Sequence, residues 1–290
     1  MKLNNIELTF ENFANEMAKL KNEKHFDYLV TIIGEDFGEE GLGCIYILEN
    51  TQNNERCSVR TIAKKVDGSD VIPTVTNLWK AADLLEREVF DFVGIKFLGH
   101  PDMRRLFLRT DFVGHPLRKD FDMSPEANKF PLTDEPEDDF TVEYSLDKDG
   151  HLVETKHRLF EEDEYVVNIG PNHPSTHGVL RLQTVIDGET VKRIYPHLGY
   201  IHRGIEKMWE GMTYPQTLAL TDRLNYLSAM MHRHALVGVI EEAMGIELSD
   251  RIHYIRTIMD ELQRIDSHLL FLGCTAKDLG ELTALSIIHI

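Results

Sequence analysis

The first 125 residues alternate between helical and strand-like spacing of apolar side chains. Residues 10–21 carry apolar side chains at every third or fourth position, which predicts an amphipathic helix. Residues 75–90 show the same spacing and predict a second helix. Short apolar runs predict three strands, over residues 28–34, 43–48 and 58–63. This half of the chain therefore has the pattern of an α+β module in which helices pack on a small sheet.

After residue 162 strand-like runs come first and helices follow. Strands are predicted over residues 165–170, 179–186 and 191–194. A largely apolar run over 218–244 predicts a helix buried on several sides, with Gly245 just beyond its end. Residues 252–269 carry an i, i+3, i+4, i+7 apolar stripe, which predicts a further helix. We expect a β-hairpin region followed by a helical-bundle region.

A polar and acidic stretch separates the two halves. Residues 128–150 read NKFPLTDEPEDDFTVEYSLDKDG, with two prolines and few apolar side chains. Such a composition favours an extended, solvated segment. We therefore expect a first module over residues 1–125, an acidic linker over 126–162, and a second domain over 163–290.

Charge and cysteine content exclude several classes of function. The chain has 290 residues and a formal net charge of −18, which disfavours nucleic acids and anionic lipid heads as partners. Its cysteines, Cys44, Cys57 and Cys274, are scattered and form no CxxC motif. That spacing argues against structural disulfides and against a thiolate-held iron–sulfur cluster or zinc site. With no spanning apolar run and no signal-peptide pattern, we expect a cytoplasmic protein that meets a membrane only through partners.

One charged segment, over residues 86–105 and 114–120, combines Gly, Pro, His and Arg without pairing a nucleophile and a base. It predicts a docking surface rather than a catalytic site, because such loops recognise carboxylates and partner backbones. Its motifs, ERExxDxxGIxFxGHPDxRR and GHPLRKD, resemble the C subunit of respiratory NADH:quinone oxidoreductase. The resemblance implies a structural piece of the peripheral arm that binds no cofactor.

A second segment, GPNHPSTHGVLRL, places His173 and His177 on a hairpin between two predicted strands. A zinc site is poorly supported there, because a proline interrupts the pair and no Glu follows His173. Taken singly, each is more typical of a structural hydrogen-bonding histidine. With PHLGYIHRGIEK, TYPQTLALTDRLNYLS and RIHYIRTIMDELQRIDSHLLFLG, however, the segment resembles the D subunit of the same complex, from about Val166 to Gly280. The D subunit is similar in fold to the large subunit of nickel–iron hydrogenases, and C–D fusions are known in the family.

This resemblance implies a quinone site. The quinone head group would lie between His177 and Tyr226, with Asp278 as the acidic partner of the histidine. Arg203 and Arg223 match arginines near the terminal iron–sulfur cluster of a neighbouring subunit, and His173 is grouped with them as a cofactor-contacting residue. The chain itself would bind no metal and no cofactor, and quinone would be its substrate.

The resemblance also implies partners and a location. The partners would be the iron–sulfur cluster subunit, a membrane-arm subunit at the quinone site, and other subunits of the complex. The location would be the cytoplasmic side of the bacterial inner membrane, through those partners.

The resemblance fails at residues 281–290, beyond which the family continues, so we expect an incomplete D part with exposed apolar helix faces. Two alternatives therefore stay open beside the redox subunit. One is a docking or scaffold piece without activity. The other is a free-standing metallohydrolase, which has little support.

Overall fold

A computed structural model describes residues 4–124, 139–172, 179–281 and 283. The chain divides into two compact units. Met1–Val167 and Thr184–Gly199 form the first unit, and Asn168–Gln183 and Tyr200–Ile290 form the second. The described part combines sheets and helices, which confirms the α+β class.

The first unit begins with a four-stranded sheet and its helix. The elements are β1 (Asn4–Leu8), α1 (Phe10–Asn22), β2 (Tyr28–Asp36), β3 (Leu42–Asn50) and β4 (Glu55–Ile62). The strand order is β1-β4-β3-β2; β1 runs parallel to β4, and the other neighbours are antiparallel. The last four of these elements follow the predicted periodicities to within a few residues, whereas β1 was not predicted.

A five-stranded sheet completes the first unit. Its elements are β5 (Lys64–Val66), β6 (Ser69–Pro73), α2 (Ala82–Val93), β7 (Lys96–Leu98), β8 (Phe140–Leu146) and β9 (Leu152–Arg158). The strands follow one another in chain order. The β6–β7 pair is parallel, so α2 is the crossover between two parallel strands, as such pairs require.

The core of the first unit lies between its helices and its strands. Apolar side chains of α1, α2 and the strands form one buried cluster that includes Phe13, Tyr46 and Phe97. Helix α2 packs closely on β2 at Gly34, where an added Cβ would lie 2.6 Å from Val89 Cγ1. A glycine is therefore required there for the helix to approach the strand.

Helix α2 begins later than its periodicity predicts. Residues 75–81 form turns, and the helix starts at Ala82. Tertiary bonds explain the difference, since the Val75 N–H donates to Glu86 at 2.8 Å and the Trp79 indole N–H donates to the Phe26 carbonyl at 3.2 Å. These bonds hold the preceding turns away from the helix axis.

The predicted linker is ordered where the structure describes it. In place of an extended segment, residues 140–158 form the hairpin β8–β9, which pairs with β7 through Leu98 and Tyr144. Tyr144 is buried, whereas β9 exposes nearly all of its side chains. Val142 and Tyr144 of β8 thus pack against the core despite the acidic composition of the stretch. Residues 125–138 lie outside the described residues, so the limit at 125 stays a prediction.

The remaining chain carries a short sheet and most of the helices. The elements are β10 (Tyr165–Asn172), β11 (Leu180–Asp187), β12 (Thr190–His197), α3 (Ile205–Glu210), α4 (Tyr214–Thr217), the 3-10 turns Leu218–Arg223 and Tyr226–Ser228, α5 (Ala229–Met244) and α6 (Asp250–Asp278). The sheet has the order β10-β11-β12.

The helix predicted over 218–244 is interrupted. Its first part forms the two 3-10 turns, and only α5 is an α-helix, ending at Gly245 in the left-handed region. Asn225 causes the interruption, because its backbone is extended and its side chain accepts the N–H of Leu227. Asparagine favours such local caps over a helix interior.

Helix α6 is long and exposes much of its apolar stripe. Ile255, Ile258, Leu262 and Ile265 are each about half exposed, as we expected for this helix. A patch of this kind is typical of a surface that another protein segment covers. None of the helices in the described ranges is both long and apolar enough to cross a membrane.

Candidate functional site

Tyr226 lies at the start of the 3-10 turn Tyr226–Ser228 in the second unit. Hydrogen bonds with neighbouring side chains hold this turn in place. The Tyr226 ring is 50% exposed, whereas the Leu227 side chain is only 7% exposed. The Leu227 N–H donates to Asn225 Oδ1 at 3.1 Å, and the Leu227 carbonyl accepts from Gln263 Nε2 at 3.1 Å. The turn is thus held by hydrogen bonds between two side chains and the Leu227 backbone, while Tyr226 stays accessible.

The preceding turn, which contains Arg223, is fastened to α5. Arg233 of α5 donates to Asp222 Oδ1 at 2.7 Å and to Thr221 Oγ1 at 3.5 Å. Thr221 is buried, whereas Arg223 is exposed. The two arginines therefore differ in role, since Arg233 bonds within the unit and Arg223 directs its charge to the surface.

Two polar contacts join α5 to α6. His234 Nδ1 lies 2.5 Å from Asp260 Oδ2, and Arg256 makes two bonds to Glu241 at 2.7 and 2.8 Å. The bonds from Arg256 lower the pKa of the Glu241 carboxyl, and the bonds to Glu241 raise the pKa of Arg256. These contacts fix α6, and with it Gln263, beside the turn of Tyr226.

The other predicted site residues lie at element ends. Arg203 is exposed and precedes Gly204, whose left-handed backbone leads into α3. Asp278 is the last residue of α6 and is exposed. His173 and His177 lie outside the described residues, so the proposed pairing of His177 with Asp278 stays a prediction.

Two residues that hold the Tyr226 turn, Asn225 and Gln263, were not predicted from the sequence. Asn225 could have been found, because an asparagine directly before a short turn is a typical cap. Gln263 gives no such signal, because it looks like an ordinary polar position on a helix and its acceptor lies 36 residues away. The structure is needed to recognise it.

The first motif segment, interpreted above as a docking surface, buries several of its charged side chains. Asp91 is fully buried, and its Oδ2 accepts the N–H groups of Leu106, Phe107 and Leu108 at 2.8–3.1 Å. Its Oδ1 accepts from Arg105 at 2.8 Å. Arg105 also donates to the carbonyls of Phe112 and Gly114, and Arg87 donates to those of Arg104 and Arg105. These arginines therefore bind this chain's own backbone and shape its loops.

Asp91→Asn is expected to lower the free energy of unfolding of the first unit by about 3 kcal/mol, because it removes the buried carboxylate and leaves the partly buried Arg105 charge without its counter-ion. Urea unfolding at neutral pH measures the change. Asp111→Asn is the matched control, because Asp111 pairs with Arg109 two residues away at a partly exposed position. The control should cost less than about 1 kcal/mol. Equal losses in the two variants would contradict this account of the segment.

The potential metal ligands show no clustering. Within residues 4–124, 139–172, 179–281 and 283, no three His, Cys, Asp or Glu side chains lie in an arrangement that could hold a metal ion. Cys44, Cys57 and Cys274 are each buried and outside any disulfide. Burial raises the pKa of Cys57 to about 11, so this thiol stays protonated near neutral pH.

Comparison with known proteins identifies the family. Residues 6–127 match the family described as the 30 kDa subunit of respiratory-chain NADH dehydrogenase. Proteins named as the C/D subunit of NADH-quinone oxidoreductase match nearly all of this chain. The protein from Phocaeicola vulgatus is 54% identical over 96% of this chain and 53% of its own length. A protein from Aquifex aeolicus, named as C/D subunit 2 of the same enzyme, is 40% identical over 94% of this chain and 48% of its own length.

A solved structure, that of a trypsin-resistant fragment of Nqo5, is 35% identical and covers 34% of this chain and 80% of that chain, with a TM-score of 0.31. The chain spans about half the length of the curated relatives it matches. Over the half that it spans, the chain belongs to the family of fused C/D subunits of NADH-quinone oxidoreductase.

Proposed function

We propose that this chain forms part of the quinone site of an NADH:quinone oxidoreductase, where electrons pass from an iron–sulfur cluster in a partner subunit to quinone. One observation carries the proposal: an accessible tyrosine, Tyr226, stands on a turn that buried and hydrogen-bonded neighbours hold in place. A phenol on a backbone that is held in place has less freedom to lose when its O–H donates to a substrate oxygen.

The chemistry of the step fits the residues proposed for it. Reduction of a quinone to a quinol takes up two electrons and two protons, and negative charge develops on its oxygens. The Tyr226 hydroxyl would donate to one oxygen, and a ring N–H of His177 would donate to the other. Asp278 behind the imidazole would fix its tautomer and favour its charged form.

Arg203 and Arg223 would act on electron arrival rather than on quinone. Both side chains are exposed on the second unit, so their positive charge can lie against a neighbouring subunit. A cation near an iron–sulfur cluster favours its reduced form. His173, in the same segment as His177, is proposed to contribute to this cofactor-contacting group.

Arg203→Ala is therefore expected to lower the midpoint potential of the partner's cluster, on the order of tens of millivolts. Redox titration followed by electron paramagnetic resonance measures the potential. Arg251→Ala removes an exposed arginine at the start of α6 and should leave the potential unchanged. An unchanged potential together with weakened quinone binding would indicate that Arg203 contacts quinone rather than the region of the cluster.

The partners and the location follow from the same proposal. The chain would contact the subunit that holds the cluster, a membrane-arm subunit at the quinone site, and other subunits of the complex. It would lie on the cytoplasmic side of the bacterial inner membrane through these subunits. Because the chain spans about half of its relatives, proton translocation would belong to the assembled complex.

A docking or scaffold role without activity is the second candidate. The exposed apolar stripe of α6 favours it, because such a surface needs a covering partner whether or not electrons pass nearby. The two candidates make different predictions for quinone binding at Tyr226.

Photolabelling separates them. The probe is a quinone carrying a photoreactive group, applied to a complex assembled with a full-length C/D fusion that contains this chain's residues. We expect label on the peptide of Tyr226, and excess unlabelled quinone should remove it. Tyr254, 73% exposed on α6, reports non-specific labelling. Label that is absent from the Tyr226 peptide, or equal at Tyr254, would overturn the proposal.

A further inference from the structure

Gln263 makes a contact that links α6 to the turn of Tyr226. Its Nε2 donates to the Leu227 carbonyl at 3.1 Å and lies 3.3 Å from Asp266 Oδ2. The side chain is only partly exposed. Its neighbour Arg264 instead bonds Glu261 on the same helix at 3.0 Å. Of these two adjacent residues, Gln263 is the one that reaches another element.

The contact completes a clamp on a single residue. Asn225 Oδ1 accepts the N–H of Leu227, Gln263 donates to its carbonyl, and its side chain is buried. The peptide groups on both sides of Leu227 are therefore held. Tyr226 lies directly before this clamp, so a change in the clamp rotates the backbone from which the phenol projects.

Helix α6 is a firm support for the donor. Asp260 and Arg256, which bond α6 to α5, precede Gln263 by three and seven residues. These separations are close to one and two helical turns, so the three side chains lie on one side of α6. A donor mounted in this way holds its acceptor more firmly than a residue on a loop does. The turn of Tyr226 thus takes its position from a helix that follows it by more than 20 residues.

We infer that Gln263 is a positioning residue that sets the Tyr226 hydroxyl against quinone, an inference that rests on the proposed function. The physical reason is the sensitivity of proton donation to geometry. A misplacement of about 1 Å in a reacting group costs on the order of 100-fold in rate. Loss of the Gln263 bond frees one end of the clamp without removing the tyrosine.

Gln263→Leu tests the inference in a complex assembled with a full-length C/D fusion. We expect kcat/KM for quinone to fall by about 10- to 100-fold, while NADH still reduces the partner's cluster. Arg264→Leu is the matched control and should retain the parent value. A loss in the control equal to that in Gln263→Leu, or a loss of cluster reduction in Gln263→Leu, would overturn the inference.

Two further variants exclude a merely structural effect. Gln263→Glu keeps the length of the side chain but donates only when protonated, so its quinone activity should recover in part as the pH is lowered. Combining Gln263→Leu with Tyr226→Phe should add little to the Tyr226→Phe loss, because both act on one hydroxyl. Fully additive losses, or a Gln263→Glu pH profile parallel to that of the parent, would show that Gln263 does not act through Tyr226.

The outcome for Tyr226→Phe alone distinguishes failure of the proposed quinone site from failure of the positioning role of Gln263. If that variant reduces quinone normally, the proposed site is wrong, and the role of Gln263 is wrong with it. If Tyr226→Phe is impaired and Gln263→Leu is not, only the positioning role fails.

Discussion

Tyr226→Phe in an assembled complex is expected to lower quinone reduction on the order of ten- to a thousand-fold while leaving reduction of the partner's cluster by NADH intact. The variant removes one hydroxyl and keeps the ring, so the packing of the turn should be preserved. The loss is confined to the step in which negative charge develops on a quinone oxygen. Steady-state quinone reduction and the spectrum of the NADH-reduced cluster measure the two quantities separately.

Tyr254→Phe is the control for this prediction. Tyr254 is more exposed than Tyr226 and lies on α6, within the same unit. Its hydroxyl has no role in the proposed site, so the variant should keep the parent rate. If cluster reduction fails in Tyr226→Phe, the tyrosine supports assembly rather than proton donation, and the proposal is wrong at that residue.

Periodicity correctly predicted the helices in which the spacing of apolar side chains matches a helix along the whole element. The helix predicted over 10–21 is Phe10–Asn22, and the stripe over 252–269 lies within Asp250–Asp278. Both have one face whose spacing matches a helix throughout. The pattern failed where a tertiary or capping bond overrides it, as at Val75, held by Glu86, and at Asn225, which caps a 3-10 turn.

Composition misled where a few apolar residues decide the structure. The acidic stretch after residue 139 contains Val142 and Tyr144, which pack against the core of the first unit from β8. Two inward side chains are enough to join a strand to an existing sheet, and they barely change the average composition. Averages over 20 residues therefore conceal a short amphipathic strand.

The proposed site came from motif resemblance rather than from periodicity. Tyr226 resembles any exposed tyrosine until its flanking bonds are seen, and the partners of the Leu227 peptide come from both sides of it in the sequence. The charged loops near Arg105 show the converse. Their composition indicated an external carboxylate or backbone as partner, but the acceptors are Asp91 and carbonyls of the same segment.

Glu86 lies on α2, within the same charged segment, and is buried. Its side chain is 0% exposed, and its carboxyl bonds the Thr74 hydroxyl at 2.6 Å and the Val75 N–H at 2.8 Å. Asp83 on the same helix and the buried Cys44 and Tyr46 are the titratable groups that interact with it. Burial is the main cause that raises the pKa of Glu86, from an ordinary 4.5 to about 8, and Asp83 adds to it.

The direction of the resulting pH dependence follows from proton binding. Between these two pKa values the folded chain holds the Glu86 proton and the unfolded chain releases it, so the free energy of unfolding falls as the pH rises. The full loss is roughly 5 kcal/mol, reached once the pH exceeds the folded pKa. Burial lowers the pKa of His100 and of His115, which acts oppositely below pH about 6.5.

Glu86→Gln is therefore expected to remove this loss, because the amide does not titrate. Its oxygen can accept the Val75 N–H, and its NH2 group can donate to the Thr74 hydroxyl oxygen. The difference in unfolding free energy between variant and parent should be small at pH 5 and grow to several kcal/mol by pH 9. Urea unfolding followed by Trp79 fluorescence measures it in the first unit, with Trp209→Phe in both chains to remove the other signal. Because both chains keep His100 and His115, their contribution cancels in the difference. Glu39→Gln, at an exposed position, should show no such growth. A difference between Glu86→Gln and its parent that stays constant from pH 5 to 9 would mean that Glu86 is charged in the folded chain.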